Sequence, residues 1–423
     1  MSYNKKYFSN LYDLLICITK AVDLISPETA NHHQQVAFIA YELSETLNLS
    51  IEDKQDVVLA SLVHDLGSLS LWDKLDFMDE LPDHVHQHSF IGAKLLGGFP
   101  LLSNAANMIK FHHVPWQDGA GSSFMGESVP ILSHLIHLAD RIAVSIDHTE
   151  NIISQIKTIR DFIVSGSGSI FPPQYIDSFL QIYEKEAFWL DLTQKSLKIH
   201  VYAGDNLPIN SIQLTLDEVV ELTQIFSRII DSRSPFTAMH SAGVAATAEK
   251  LAQLSNFSEN DCKKMRIAGN LHDIGKLAIP REILEKNDKL IPEEFDVIRS
   301  HTYYSYRLLQ PIQGFNEIAE WAAYHHEKLN GRGYPFHLSA PSLSLGSQIM
   351  AVADIFTAIT EDRPYRVGMN RNQTEKILAG MAEHNGISSS IFHLLQANYD
   401  CIAELRKTAS EQASHDYKYL LIK

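Results

Sequence analysis

The sequence predicts an all-α protein built from two copies of one helical domain, and three observations lead there. A chain of 423 residues with 45% hydrophobic content is long enough for two or three globular cores. Apolar residues recur at helical spacing in segments such as 216–230 and 349–359, while few stretches alternate as strands do. The chain also repeats itself: Ser-Pro-Glu-Thr-Ala-Asn-His at 26–32 returns as Ser-Pro-Phe-Thr-Ala-Met-His at 234–240, an offset of 240 − 32 = 208.

Taken in order, the apolar stretch 11–25 follows Lys5 and Lys6 as a signal peptide would, but Asp13, Lys20 and Asp23 interrupt it and no small-residue cleavage site follows. It reads as an amphipathic helix. No other run approaches membrane-spanning length, so no membrane partner is expected. Past the repeated segment, Val36, Ala40 and Leu43 match Val244, Ala248 and Leu251, the spacing of one buried helix face. His64-Asp65 in LVHDLG matches His272-Asp273 in NLHDIG at the same offset. His88 then matches His301, His112-His113 matches His325-His326, and Asp140 matches Asp354, at 301 − 88 = 213, 325 − 112 = 213 and 354 − 140 = 214. Single matches of this kind are common, but five in order at a nearly constant offset are not. A helix over 174–188 is expected to end the first copy. Residues 196–214 mix β-branched residues with Gly204, Asp205, Asn206 and Pro208, which predicts a short linker with an extended stretch or hairpin. A long helix over 391–412 is expected to close the second copy. The expected domains are thus 1–195 and 215–423, joined by 196–214.

Composition narrows the function. Thirty-five basic against 51 acidic residues give a net charge of −16, which excludes holding polymeric nucleic acid by basicity alone. An anionic ligand needs local positive charge from a metal or a few placed side chains. Cys17, Cys262 and Cys401 form no CxxC pair, which argues against a disulfide framework or a zinc–thiolate site and fits a reducing cytoplasm.

In the second copy the candidate metal ligands are His240, His272, Asp273, His301, His325, His326 and Asp354. Imidazole and carboxylate without thiolate favour two divalent transition ions, iron or manganese first and nickel or zinc next, over calcium. Seven groups are too many for one ion with open positions and suit two ions a few ångströms apart. Neighbours on a helix diverge by about 100°, so His272 and Asp273 can reach different sides of such a centre if Asp273 bridges it. A lone His-Asp pair, a lone helical His or a His-His loop is a weak signal. The ordered set, present twice, is a strong one.

The string HHEKLNGRGYP over 325–335, with HDIGK at 272–276 and ADIFTAITEDRPYR at 353–366, resembles the HD-GYP phosphodiesterases. The resemblance covers most of 211–400. It implies tandem HD-domain helical bundles and metal-dependent hydrolysis of a phosphodiester bond in a cyclic dinucleotide, cyclic di-GMP or hybrid cyclic GMP-AMP, in bacterial signalling. It makes the seven residues the metal ligands, Asp273 and Lys276 catalytic, and Lys276, Tyr334, Arg363 and Arg366 the substrate contacts. Gly331 and Gly333 allow the backbone to turn sharply, and Tyr334 offers an aromatic face and a hydroxyl. The sequence departs from the family at Phe236, where some members carry a Glu that supports a third metal, so two ions are expected. It also has Asn330 and Thr357 where the family often has Asp.

The first copy keeps a full ligand set, Glu28, His32, His64, Asp65, His88, His112, His113 and Asp140, as a candidate second metal site. It lacks the substrate side: Ser68 stands for the lysine, no Tyr-Pro follows His113, and nothing like RPYR follows Asp140. A regulatory or dimerising role, with a homodimer as one arrangement, is expected of it. The rival functions are a non-catalytic cyclic dinucleotide receptor, which would be expected to lose a ligand, and another HD-type nucleotide phosphohydrolase or diiron oxygenase, which would have no use for Gly-Tyr-Pro and the arginines.

Overall fold

The computed structural model describes residues 7–25, 31–70, 82–194, 212–231, 239–286, 288–362 and 367–421. Strand β1 (Tyr7–Asn10) runs into helix α1 (Leu11–Asp23). Then come α2 (His32–Thr46), α3 (Ile51–Val63), α4 (Pro82–Leu96), α5 (Ser103–Lys110), the short hairpin β2 (Ser123–Phe124) and β3 (Glu127–Ser128), α6 (Ile131–Val144), α7 (Ile152–Ser165), α8 (Pro173–Ile182) and α9 (Glu186–Leu192). Strand β4 (Gln213–Thr215) leads into α10 (Leu216–Asp231), α11 (His240–Leu254), α12 (Glu259–Leu271), α13 (Arg281–Leu284), α14 (Pro292–Leu309), α15 (Asn316–Ala323), α16 (Leu345–Thr360), α17 (Arg371–Glu383), α18 (Ser389–Ala397) and α19 (Tyr399–Leu421). The fold is all-α. Among the described residues no helix is long and apolar enough to cross a membrane.

The chain divides into two compact units, one of residues 14–212 and one of 213–423 together with 1–13. The amino-terminal strand therefore departs from the expected boundary. β1 pairs antiparallel with β4, Asn10 facing Gln213, and the Phe8 ring lies 5.9 Å from that of Phe315. Four residues without alternation give no sign of this pairing, which spans more than 200 positions of chain. Of the expected linker, 196–211 lie outside the described residues, and its end runs into β4.

Each unit is laid out by the same local chemistry. Ser50 and Ser258, 208 apart, cap α3 and α12 by accepting hydrogen bonds from the backbone N–H of Asp53 and Asp261. Val36, Ala40 and Leu43 on α2, and Val244, Ala248 and Leu251 on α11, are completely buried as their spacing requires. In the first unit α2 packs on α3 and α6, and in the second α11 packs on α12 and α16. The expected helix over 174–188 is two helices, α8 and α9. The buried Trp189 indole donates to the Tyr183 carbonyl at 2.7 Å, which satisfies a group freed by the break. The expected helix over 391–412 also breaks, at Asn398, whose side chain donates to the Leu394 carbonyl.

Candidate metal centre

The His-Asp pairs lie where a helix runs out. His272 caps α12, and Asp273 opens a tight turn over Ile274–Ala278 that presses on α14. A Cβ on Gly275 would fall 2.0 Å from the His301 carbonyl oxygen, so only glycine lets the turn meet the helix that carries the next ligand. The fully buried Ser305 fixes this contact, donating to the His272 carbonyl at 2.8 Å and accepting from the Gly275 N–H at 3.0 Å. His240 begins α11, His325 and His326 follow α15, and Asp354 sits within α16.

These elements bring all seven predicted ligands of the second unit together. His240, His272 and Asp273 form one group and His301, His325 and His326 another, the ligand atoms of each lying within 4.8 Å of one another. Asp273 spans the two groups. Its Oδ2 is 3.1 Å from His272 Nε2, and its Oδ1 is 3.4 Å from His301 Nε2 and 3.9 Å from His325 Nε2. Asp354 does likewise, with Oδ1 at 3.1 Å from His240 Nε2 and Oδ2 at 3.9 Å from His326 Nδ1.

The donor set fits divalent metal. His272, His301 and His325 each turn Nδ1 to a backbone carbonyl, of Gly269, Ile298 and Ala322, at 2.6–2.8 Å. In the neutral ring this fixes the tautomer and aims the Nε2 lone pair inward, the arrangement of metal-bound histidine. Burial pushes His301 down to about 3 and His325 well below the usual imidazole range, so both rings are neutral near pH 7. His301 Nε2 and His325 Nε2 then face each other at 3.3 Å as two lone pairs. His272 Nε2 and Asp273 Oδ1 are buried without a hydrogen-bond partner. A cation resolves all of these contacts. His240 behaves differently: burial opposes its charging, but bonds to Asp354 and Glu361 prevail and lift it to about 10. Its surroundings are built for positive charge, which a proton or a metal ion supplies. Burial alone would raise Asp273, yet His272 and Lys276 beside it hold its carboxyl well below the carboxylate range.

On the substrate side, the Lys276 ammonium donates to Asp273 Oδ2 at 2.6 Å, and the Tyr334 ring lies 4.9 Å from that of His326. Arg363 and Arg366 lie outside the described residues, as do Phe236 and Glu28. The other predicted residues of the first copy, His32, His64, Asp65, His88, His112, His113 and Asp140, also come together.

Sequence reasoning missed several supporting residues. Glu361 accepts from His240 Nδ1 at 3.2 Å and is buried. It lies seven residues after Asp354, as the residue that caps α16, and that spacing could have pointed to it. Glu327, quoted in the motif without a role, is also buried and accepts from the Phe336 and Leu338 N–H groups, which holds the loop that carries Tyr334. A supporting pair also repeats across the units at the 208 offset: Asp231 takes the Ser241 hydroxyl at 2.8 Å, and Asp23 contacts His33 Nδ1 at 3.0 Å. Each pair braces the helix start beside a ligand, His240 or His32.

Residues 29–145 and 224–389 each match the HD domain family. Over 404 residues, 94% of either chain, the sequence is 30% identical to 3'3'-cGAMP-specific phosphodiesterase 1 of Vibrio cholerae. The chain belongs to the HD-GYP phosphodiesterases. As an HD-GYP phosphodiesterase it is a metal-dependent hydrolase of the class that acts on cyclic dinucleotides. It is 33% identical to 3'3'-cGAMP-specific phosphodiesterase 3 of Vibrio cholerae over 64% of this chain and 57% of that one. A cyclic di-GMP phosphodiesterase of Pseudomonas aeruginosa is 38% identical over 36% of each chain. The crystal structure of the cyclic GMP-AMP-specific phosphodiesterase V-cGAP3 superposes with a TM-score of 0.65, at 24% identity, over 93% of this chain and 98% of that one, which shows the shared tandem fold.

Proposed function

We propose that the second unit hydrolyses 3'3'-cGAMP in preference to cyclic di-GMP, at a two-metal centre held by His240, His272, Asp273, His301, His325, His326 and Asp354. One observation carries the substrate choice. The likeness to the cGAMP-specific enzyme runs through both copies, 94% of the chain, whereas the likeness to the cyclic di-GMP enzyme of Pseudomonas aeruginosa covers 36% of it. The position of Asp273 between the two ligand groups supports two ions rather than one.

When bound, such a pair of ions acidifies water and polarises a phosphoryl oxygen. The chain's own groups do the rest. Asp273 spans the centre and fixes the separation of the two groups, and Asp354 does the same from the opposite helix. Lys276, held on Asp273 by one N–H, offers its others to a non-bridging phosphate oxygen, where charge grows in the transition state. Tyr334, set by the Glu327-anchored loop against His326, walls the site for a nucleotide face or a hydroxyl contact. Arg363 and Arg366 supply the remaining cations for the phosphates. In a chain of net charge −16, phosphate binding depends on such a local concentration of positive groups.

Purified protein incubated with 3'3'-cGAMP, cyclic di-GMP and cyclic di-AMP, with the products separated by chromatography, tests the reading. Preferential loss of 3'3'-cGAMP is expected. Faster loss of cyclic di-GMP would overturn the substrate choice, and no loss of any of the three from metal-replete protein would overturn the enzymatic reading.

A further inference from the structure

The first unit keeps metal ligands where it has lost the groups that would meet a phosphate. His32, His64 and Asp140 form one group and Asp65, His88, His112 and His113 another, each with its ligand atoms within 4.8 Å. Asp65 faces both. Its Oδ2 is 3.4 Å from His64 Nε2 and 4.0 Å from His32 Nε2, and its Oδ1 is 3.1 Å from His88 Nε2 and 3.6 Å from His112 Nε2. Asp140 Oδ1 adds contacts of 3.3 Å to His32 and 3.8 Å to His64.

The hydrogen bonds around the rings show what this arrangement needs. His64 Nδ1 is turned to the Ser61 carbonyl at 2.8 Å and His112 Nδ1 to that of Ile109 at 2.6 Å, so in the neutral tautomers both Nε2 atoms carry lone pairs. The His112 lone pair points at Asp65 Oδ1, and both atoms are buried without a hydrogen-bond partner. Two acceptors turned on each other away from water are destabilising. Elsewhere in the cluster His88 Nε2 and His113 Nε2 approach to 3.0 Å, and His32 Nε2 and His64 Nε2 to 3.3 Å. The second unit shows the same feature in its own cluster, where His272 Nε2 and Asp273 Oδ1 are orphaned. A pair of buried acceptors held this way is accounted for by cations between them.

Two differences set this cluster apart. Ser68 occupies the lysine position and donates to the Asp65 backbone carbonyl at 2.7 Å, which brings no cation to the Asp65 carboxylate. Asp140 Oδ2 is taken by the Arg141 guanidinium at 2.6 Å, whereas Asp354 keeps its second oxygen toward His326. Asp140 is thus left with one oxygen for a metal.

We infer that the first unit holds a dinuclear centre of its own, two divalent transition-metal ions bridged by Asp65, one on His32, His64 and Asp140 and the other on His88, His112 and His113. The all-nitrogen-and-oxygen donor set, rich in imidazole, selects ions of the manganese-to-zinc series over magnesium or calcium. The absence of a lysine, a Tyr-Pro element and an arginine pair at this copy separates it from phosphodiester binding.

Metal per chain, measured by plasma mass spectrometry on the full chain reconstituted with Mn²⁺ and desalted, reads the inference without reference to activity. Asp65→Ala and Asp273→Ala should each hold about half the wild-type metal, and the double variant close to none. Wild-type metal in Asp65→Ala would overturn the inference. Because Asp65→Ala could perturb folding, a second measurement uses Co²⁺ added to the Asp273→Ala chain, whose visible d–d absorption should be strong and should fall at least twofold with His112→Gln while the helical circular dichroism is unchanged. No cobalt absorption in the Asp273→Ala chain, or absorption that His112→Gln leaves intact, would equally overturn it.

Discussion

Glu361 is the residue whose substitution separates support of the metal centre from direct ligation. It is 3% exposed, its Oε2 lies 3.2 Å from His240 Nδ1, and it is itself a member of neither ligand group. Glu361→Gln keeps the shape and leaves an amide oxygen to accept the same N–H, so only the charge is removed. A hydrogen bond to a charged partner contributes about 1.5–3 kcal/mol against about 1 kcal/mol for a neutral one. The loss is then roughly 0.5–2 kcal/mol of support for positive charge at His240, or about 2–30-fold in affinity for the ion bound there. Its upper part overlaps the roughly 10–100-fold range for groups that orient metal-bound histidine. Dialysis of Glu361→Gln against a graded metal buffer, followed by metal analysis, should show one class of ion leaving the second unit at higher free metal than in the wild type. Hydrolysis should fall in parallel and be restored by excess metal. The same metal-binding curve as wild type, or lost activity that metal does not restore, would refute the account of His240. Asp147, seven residues after Asp140, is exposed and takes only the Thr149 N–H and hydroxyl, so Asp147→Asn should leave metal content unchanged.

Further outcomes follow from individual contacts. Asp273→Ala should abolish hydrolysis and release metal from the second unit, while Lys276→Ala should keep most of the metal and lower turnover on the order of 100-fold; equal metal loss in the two would contradict their separate roles. Gly275→Ala drives a Cβ to within 2.0 Å of the His301 carbonyl and 2.7 Å of the Ser305 nitrogen, so the melting temperature should drop, by about 1–3 kcal/mol of stability or more, together with metal content. A variant as stable as wild type would show that the turn and α14 are not locked together. Thiol labelling of native protein should modify Cys401, which is exposed, while Cys17, pushed up to about 12 by burial, and buried Cys262 react only on unfolding; rapid labelling of all three would contradict the packing of α1 and α12.

What the sequence disclosed about this molecule depended on period and on repetition. The buried faces of α2 and α11 were readable because a helix repeats its surroundings every three to four residues, and the ligands because their order recurs 208–214 positions later with chemistry intact. Residues whose partners are set only by tertiary folding left no such trace. β1 meets β4 from the far end of the chain, and its sequence, Tyr-Phe-Ser-Asn, has no alternation to declare a strand. The break between α8 and α9 was hidden for a related reason: the segment is apolar at helical spacing, and the carbonyl of Tyr183 freed at the break is taken by the Trp189 side chain, a contact set by tertiary folding. Glu361 lies between these cases. It stands at a legible spacing from Asp354, but a carboxylate at a helix end is ordinarily solvated, and only its burial against His240 identifies it as a support.

The two copies also show which constraint governs which residue. Gly67 and Gly275 are both glycine because in each unit the turn after the His-Asp pair presses on the helix with the next ligand; a Cβ would sit 2.1 Å from the His88 carbonyl oxygen in one and 2.0 Å from that of His301 in the other. That constraint belongs to the backbone and is independent of what the site binds. Lys276 and Ser68 occupy the same place after the His-Asp pair and differ, the lysine side chain partly exposed and the serine buried. Lys276 bonds the Asp273 carboxylate, whereas Ser68 bonds the Asp65 backbone carbonyl. The ligand histidines belong with the glycines rather than with the lysine: their Nδ1 atoms are tied to carbonyls in the same way at His64 and His272, and at His112 and His325. In both units, then, the placement of these histidines is built into the helix ends, and the copies diverge at a residue of the turn that follows the His-Asp pair.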